Sequence, residues 1–266
     1  MFRFDPTRIA VAVKRLAPVA AFAACVAGAA PAAAAQYFLA SSTMNTSRTG
    51  QISGPGYSAH VYMAPMRFTA YEGTSATGPS FNFVGFCVDI FHGIGLGTLN
   101  LKYDDAYDLT TDSKYKTSTP FQGGTALSGG QRIQVARLVN YGTLVYNNAP
   151  NTTDTVNRLS ALQGAIWKVI NPGYTVTGSN AAVNGYIAAY SGSNYLASLT
   201  DYGPVHSGIT FISETGKYGT SSAHQAFALA AVPEPGTWTL MIGGFALAGA
   251  MLRQARRRPA PVRIRA

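Results

Sequence analysis

The sequence predicts an α+β fold: a β-rich sandwich or barrel with an inserted helical subdomain, flanked by an N-terminal signal helix and a C-terminal transmembrane helix. Three observations predict it. The middle of the chain carries little charge and much Tyr, Thr, Ser and Gly, with short runs of alternating polarity such as half-buried strands require. Between residues 131 and 190, apolar residues instead recur at the spacing of a helix face. Each end holds an apolar run beside a cluster of basic residues.

At the N-terminus, Arg3, Arg8, Lys14 and Arg15 precede the apolar stretch Leu16–Ala30, and Ala33-Ala34-Ala35 forms an Ala-x-Ala cleavage site before Gln36. That order is the layout of a secretory signal peptide over residues 1–35. The stretch is too short and alanine-rich to suit a membrane anchor. Phe22 is a poor residue three places before Cys25 for a lipoprotein signal. Removing Cys25 with the leader leaves Cys87 alone, without a partner for an intramolecular disulfide.

The body spans 36–231. Gln36–Ser80 reads as β-structure, with alternating runs at Ala59–Met63 and Met66–Tyr71 and a turn at Gly54-Pro55-Gly56. Phe81–Phe91 is β-branched and aromatic, lacks proline, and reads as one strand. Alternation puts Val84, Phe86, Val88 and Ile90 on an apolar face and Cys87 on the other, between Gly85 and Asp89. A cysteine serving as a small core hydrophobe would more naturally stand among the valines. Gly85 is read as clearing space beside it.

Leu96–Phe121 reads as irregular. Its Asp104, Asp105, Asp108 and Asp112 lack the glycine and closing glutamate of a calcium loop and are read as solvated. Gln131–Asn140 reads as a helix with Ile133, Ala136 and Val139 on one side and Gly142 past its end. Thr153–Asn171 reads as a second helix, capped by Thr153 or Asp154 and stopped by Asn171-Pro172. Its stripe is Val156, Leu159, Gln163, Ile166 with Trp167, and Ile170, and Gln163 is the only polar member. An unpartnered buried carboxamide costs about 1–3 kcal/mol, so a glutamine there needs a reason. Ala181–Tyr190 reads as a weaker third helix, and Ile209–Ser213 and Gln225–Ala230 as closing strands.

Leu162-Gln163-Gly164-Ala165-Ile166-Trp167 resembles the Thr-Gln-x-Ala-(Ile-Trp) signature of the thioester domains on Gram-positive surface adhesins. Phe86-Cys87-Val88-Asp89 resembles the strand that supplies their cysteine, and Gln131–Gly142 the helix ending in Tyr-Gly between the two. The resemblance covers Phe81–Pro172 and departs from the family at Leu162, where threonine is usual. It implies an internal thioester between the Cys87 sulfur and the Gln163 carbonyl, formed with loss of ammonia. Such a bond would be sheltered from water by the apolar stripe and the phenylalanines, and it would remove the buried amide nitrogen. An incoming amine would open it once, leaving an amide and a free thiol, so neither an enzyme activity nor a cofactor is expected. Asp89, His92 and Trp167 are the neighbours expected at this site.

In the tail, 232–266, Val232-Pro233-Glu234-Pro235-Gly236 precedes the apolar run Trp238–Leu252 and then Arg253, Arg256, Arg257 and Arg258. The run is marginal for a bilayer span, which needs roughly 17–25 residues, and the arginines would hold its end in the cytoplasm. The order resembles the PEP-CTERM sorting signal of Gram-negative bacteria that make extracellular polysaccharide. That resemblance gives Pro233, Glu234, Pro235, Arg256, Arg257 and Arg258 to the motif. It implies exosortase or its sorting machinery as partner, passage through the inner membrane, and a final place on the cell surface or in the biofilm matrix.

The net charge of +9 suggests a nucleic-acid partner only until it is located. The two ends hold ten of the twenty basic residues and two of the eleven acidic ones, leaving the body at a net +1. Nucleic acid is therefore excluded. His60, His92, His206 and His224 show no metal-ligand spacing. Three functional readings follow: covalent capture of surface amines through Cys87 and Gln163, non-covalent structural or polysaccharide-binding service in the matrix, and a hydrolase using Cys87 with His92. The last ranks lowest, because residues five apart on one strand face opposite sides, so a direct pair would need a turn at Phe91–Gly93.

Overall fold

The structure is a computed structural model that describes residues 35–44, 47–104, 127–192, 199, 201–202, 208–217, 222–230, 244–249, 251 and 253. Nine strands are described: β1 (Gln36–Thr43), β2 (Arg48–Gly54), β3 (Tyr57–Met63), β4 (Met66–Glu72), β5 (Phe81–Cys87), β6 (Gly97–Asp104), β7 (Thr175–Gly178), β8 (Ile209–Glu214) and β9 (Phe227–Ala230). Three helices lie between β6 and β8: α1 (Gly129–Asn148), α2 (Thr153–Ile170) and α3 (Ala181–Ser191). Six strands close an antiparallel barrel in the order β1-β4-β5-β9-β8-β6, and β3-β2-β7 form a separate small sheet. Of the sandwich and the barrel, the chain forms the barrel.

Aromatic residues fill the barrel. Phe68 on β4 stacks on Phe83 of β5 at 5.1 Å between centroids and meets Phe227 of β9 edge-on at 4.7 Å. Gly85 makes that packing possible, since a Cβ there would stand 3.0 Å from the Phe68 ring. Its bareness thus serves the barrel's phenylalanines rather than the cysteine two residues on.

The strand expected over Phe81–Phe91 ends at Cys87. The Asp89 carboxylate accepts the Phe91 N–H at 2.9 Å, and this local side-chain bond turns the chain out of the ladder. The irregular stretch expected from Leu96 contains β6, whose Leu99, Leu101 and Tyr103 are more buried than Thr98, Asn100 and Lys102. That alternation is present in the sequence but begins at a left-handed Gly97, φ 95°, and passes through Asn100 at φ 55°.

The first helix is longer than expected: α1 starts with a capping box at Ser128 and Gln131 and runs six residues past Gly142. Ala136 and Val139 are buried as read, but Ile133 is 48% exposed, so the packed face is rotated away from it. Gly142 lies inside the helix because the Phe86 ring presses on it, 2.3 Å from where a Cβ would stand. Phe86 is fully buried, so Gly142→Ala is expected to cost about 1–3 kcal/mol by overpacking. A lower urea midpoint at unchanged slope would register it. At Gly164 of α2 the nearest atom is instead the terminal methyl of Met63, at 2.5 Å, which can swing aside; Gly164→Ala should cost less.

The cap of α2 is Thr152, whose hydroxyl accepts the Thr155 N–H at 3.2 Å, one residue before the expected position. All six stripe residues are buried, and so is most of the opposite face, because α2 packs against α1, α3, β3, β5 and β7. Arg48 ties the small sheet to it: its N–H donates to Ser160 at 3.1 Å and its Nε to Asn157 at 2.9 Å.

The leader over residues 1–34, Asp105, Asp108, Asp112, His206, the motif residues Pro233, Glu234 and Pro235, and Arg256, Arg257 and Arg258 lie outside the described residues. Of the expected membrane helix, residues 244–249, 251 and 253 are described, helical and exposed. No helix among the described residues is long and apolar enough to cross a membrane.

Candidate functional site

β5 ends and α2 passes at one point, where Cys87 meets Gln163. The two residues lie 76 apart in sequence, and the bonds between them are reciprocal. The Cys87 main-chain N–H donates to Gln163 Oε1 at 3.0 Å, and Gln163 Nε2 donates to the Cys87 carbonyl at 2.8 Å. The side-chain amide therefore docks on the last residue of β5 as an added strand would. Gln163 is fully buried and Cys87 nearly so. The glutamine's position in an apolar stripe has its partner here. Both its polar atoms are satisfied, so burial alone does not require the amide nitrogen to leave, contrary to the expectation from sequence.

The thiol is neutral. Burial pushes the Cys87 pKa well up, and the negative charge of Asp89 pushes it further; the Trp167 indole and the Asp89 main chain oppose them without prevailing. The Sγ–H donates to the Asp89 carbonyl at 3.0 Å. Trp167 Nε1 is buried and meets no hydrogen-bond partner among the described residues; the indole acts on the thiol only by lowering its pKa. A buried neutral thiol resists oxidation and alkylation and is a poor nucleophile toward substrates arriving from solvent.

Asp89 organises the loop after β5. Its Oδ1 takes the Phe91 N–H, and its Oδ2 pairs with His92 Nδ1. The turn brings His92 back beside Asp89, which one continuous strand would have prevented. Gln225, just before β9, braces the same loop: Nε2 donates to the Asp89 carbonyl at 3.3 Å and its N–H to the Gly93 carbonyl at 3.3 Å.

Sequence reasoning missed the tyrosines here. Tyr57 on β3 meets Phe91 edge-on at 5.2 Å, and Phe91 meets Tyr174 at 5.8 Å. Burial, then the negative charge of Asp89, raises the Tyr57 phenol pKa. Tyr103, inside the barrel, has its pKa raised by burial and then by the charges of Glu214 and Asp89, and its hydroxyl donates to the Gln225 carbonyl at 2.7 Å. These residues come from remote elements: Tyr103 stands on a barrel strand, whereas Tyr57 stands on β3 of the separate small sheet.

The other two described histidines lie elsewhere. His60 is exposed on β3, and His224 pairs with the buried Glu214 at 2.8 Å, which also holds Lys217 at 2.8 Å. Among the described residues no group of three or more His, Cys, Asp or Glu side chains can hold a metal ion.

Against this geometry stand the comparisons with known proteins. Residues 231–258 match the PEP-CTERM protein-sorting motif. Neither the curated proteins nor the solved structures give a match to the chain. The tail motif supports recognition by exosortase sorting machinery, and with it export and membrane anchoring in transit.

Proposed function

We propose that the exported body captures amines covalently through a thioester between Cys87 and Gln163, acting at the cell surface or in the extracellular matrix. The observation that carries this reading is the reciprocal docking of the Gln163 carboxamide on Cys87. Attack of Sγ on the Gln163 side-chain carbon moves negative charge onto Oε1, where the Cys87 N–H already donates at 3.0 Å. A donor fixed in advance at the developing charge is the arrangement that lowers such barriers. The new bond is Sγ–C, the broken bond is C–Nε2, and the thiol proton leaves with the nitrogen as ammonia. An amine then takes the acyl group, giving a substituted amide and the thiol. Burial of the pair keeps water from competing.

A second reading, a non-covalent structural or polysaccharide-binding matrix protein, is favoured by one observation: the carboxamide is already fully partnered. Intact-mass measurement of the purified body separates the two. The bonded chain is lighter by one ammonia, and Cys87→Ala is expected to restore the full mass. A wild-type chain of full mass with one titratable thiol after unfolding would overturn the thioester. Glycan binding that persists in Cys87→Ala would then favour the second reading.

A further inference from the structure

Both the making and the opening of a Cys87–Gln163 bond must move a proton: the neutral thiol cannot complete the first, nor the attacking amine the second, without an acceptor. The S–H points to the Asp89 carbonyl, 3.0 Å away, and not to the departing nitrogen. The carboxylate of that same residue pairs with His92 Nδ1. The two side chains are 4% and 9% exposed, so bulk water is a poor proton carrier here. Among the described residues, the titratable groups that act on or beside Asp89 from other elements are Cys87 on β5, Tyr57 on β3 and Tyr103 on β6. Both phenols are held in the neutral form by burial and neighbouring negative charge. Glu214 of β8 acts on Tyr103 and is itself occupied by Lys217 and His224. An imidazole is the one group in this set that exchanges protons near neutral pH.

We propose that His92 relays the proton for Cys87–Gln163 chemistry and that Asp89 is its positioning residue. The inference rests on the thioester reading above. In the forward step His92 takes the thiol proton as Sγ bonds to the Gln163 carbon, then returns it to the leaving nitrogen, which departs as ammonia. In capture it takes one proton from the attacking amine and returns it to the sulfur, which leaves as the thiol. Asp89 fixes the imidazole through Nδ1, balances its charge while it carries the extra proton, and holds the S–H through its carbonyl.

The test uses the full body and acetohydrazide, a nucleophile uncharged across the working pH range, so that pH dependence reports the protein. Mass measurement follows conversion of the bonded chain to its hydrazide adduct. The wild-type rate is expected to rise with pH through a single step in the histidine range. His92→Gln is expected to lose about 100-fold or more and to lose that step. Asp89→Asn, which keeps the acceptor for the Phe91 N–H, should slow the reaction and shift the step to lower pH. A wild-type chain that never shows ammonia loss refutes the thioester reading itself. A bonded wild type whose rate is flat with pH, or a bonded His92→Gln with unchanged rate and profile, refutes the relay alone. The wild-type profile decides the matter even where a variant fails to fold.

Discussion

Opening the Cys87–Gln163 bond with methylamine is expected to lower the unfolding free energy of the wild-type body by about 3 kcal/mol. The bond would close a loop between residues 76 apart. On the chain-entropy account of cross-links, a loop of that size stabilises by about 4 kcal/mol. One term opposes it: losing Nε2 to ammonia strips the Cys87 carbonyl of its 2.8 Å donor, and an unmade buried hydrogen bond costs about 1 kcal/mol. The methylamide restores an N–H at that place, so opening removes the cross-link and recovers the hydrogen bond. In a body of this size the difference appears as a fall of roughly 10 °C in melting temperature. Calorimetry before and after methylamine, with the mass gain measured on the same sample, checks it. Cys87→Ala should melt near the opened form and not respond to methylamine. A wild type that gains no mass and melts unchanged would leave the non-covalent reading in possession.

The elements were legible in the sequence where one periodicity ran without interruption. α2 shows this best: its apolar stripe, polar start and Asn171-Pro172 stop are all local, and the helix lies within a residue of where they put it. The meeting of Gln163 with Cys87 was reached only through a resemblance, since no local rule pairs residues that far apart. Asp89 was misread for a physical reason. In a run of β-formers it looks like one polar member of a strand, yet its carboxylate bonds to Phe91 and His92 and ends the strand. That same event undid the argument that separated His92 from the site. Tyr57, Tyr103 and Gln225 were invisible because their nearness depends on how the barrel closes and how the small sheet of β3 packs beside it, not on any neighbouring residue. The tail motif was the most legible feature, being linear and read as such by its sorting machinery.

Gln163→Leu, made in a Cys87→Ala background, is expected to cost about 2–6 kcal/mol beyond the single substitution. Both bonds from Gln163 go to the main chain of residue 87, so Cys87→Ala leaves them intact. Removing the carboxamide strands one buried N–H and one buried carbonyl, at about 1–3 kcal/mol each. Leucine fills nearly the same volume, so cavity cost is small and the loss reports the hydrogen bonds. Since the cross-link is absent from both chains, the comparison holds whichever functional reading is right. Equilibrium urea unfolding gives the free energy, and hydrogen exchange localises it: the amide of residue 87 should lose protection while that of Phe86 keeps its partner in the ladder with β9. Equal stabilities and equal protection would mean that α2 does not dock on the end of β5 through this side chain. The geometry on which either use of Cys87 depends would then be gone.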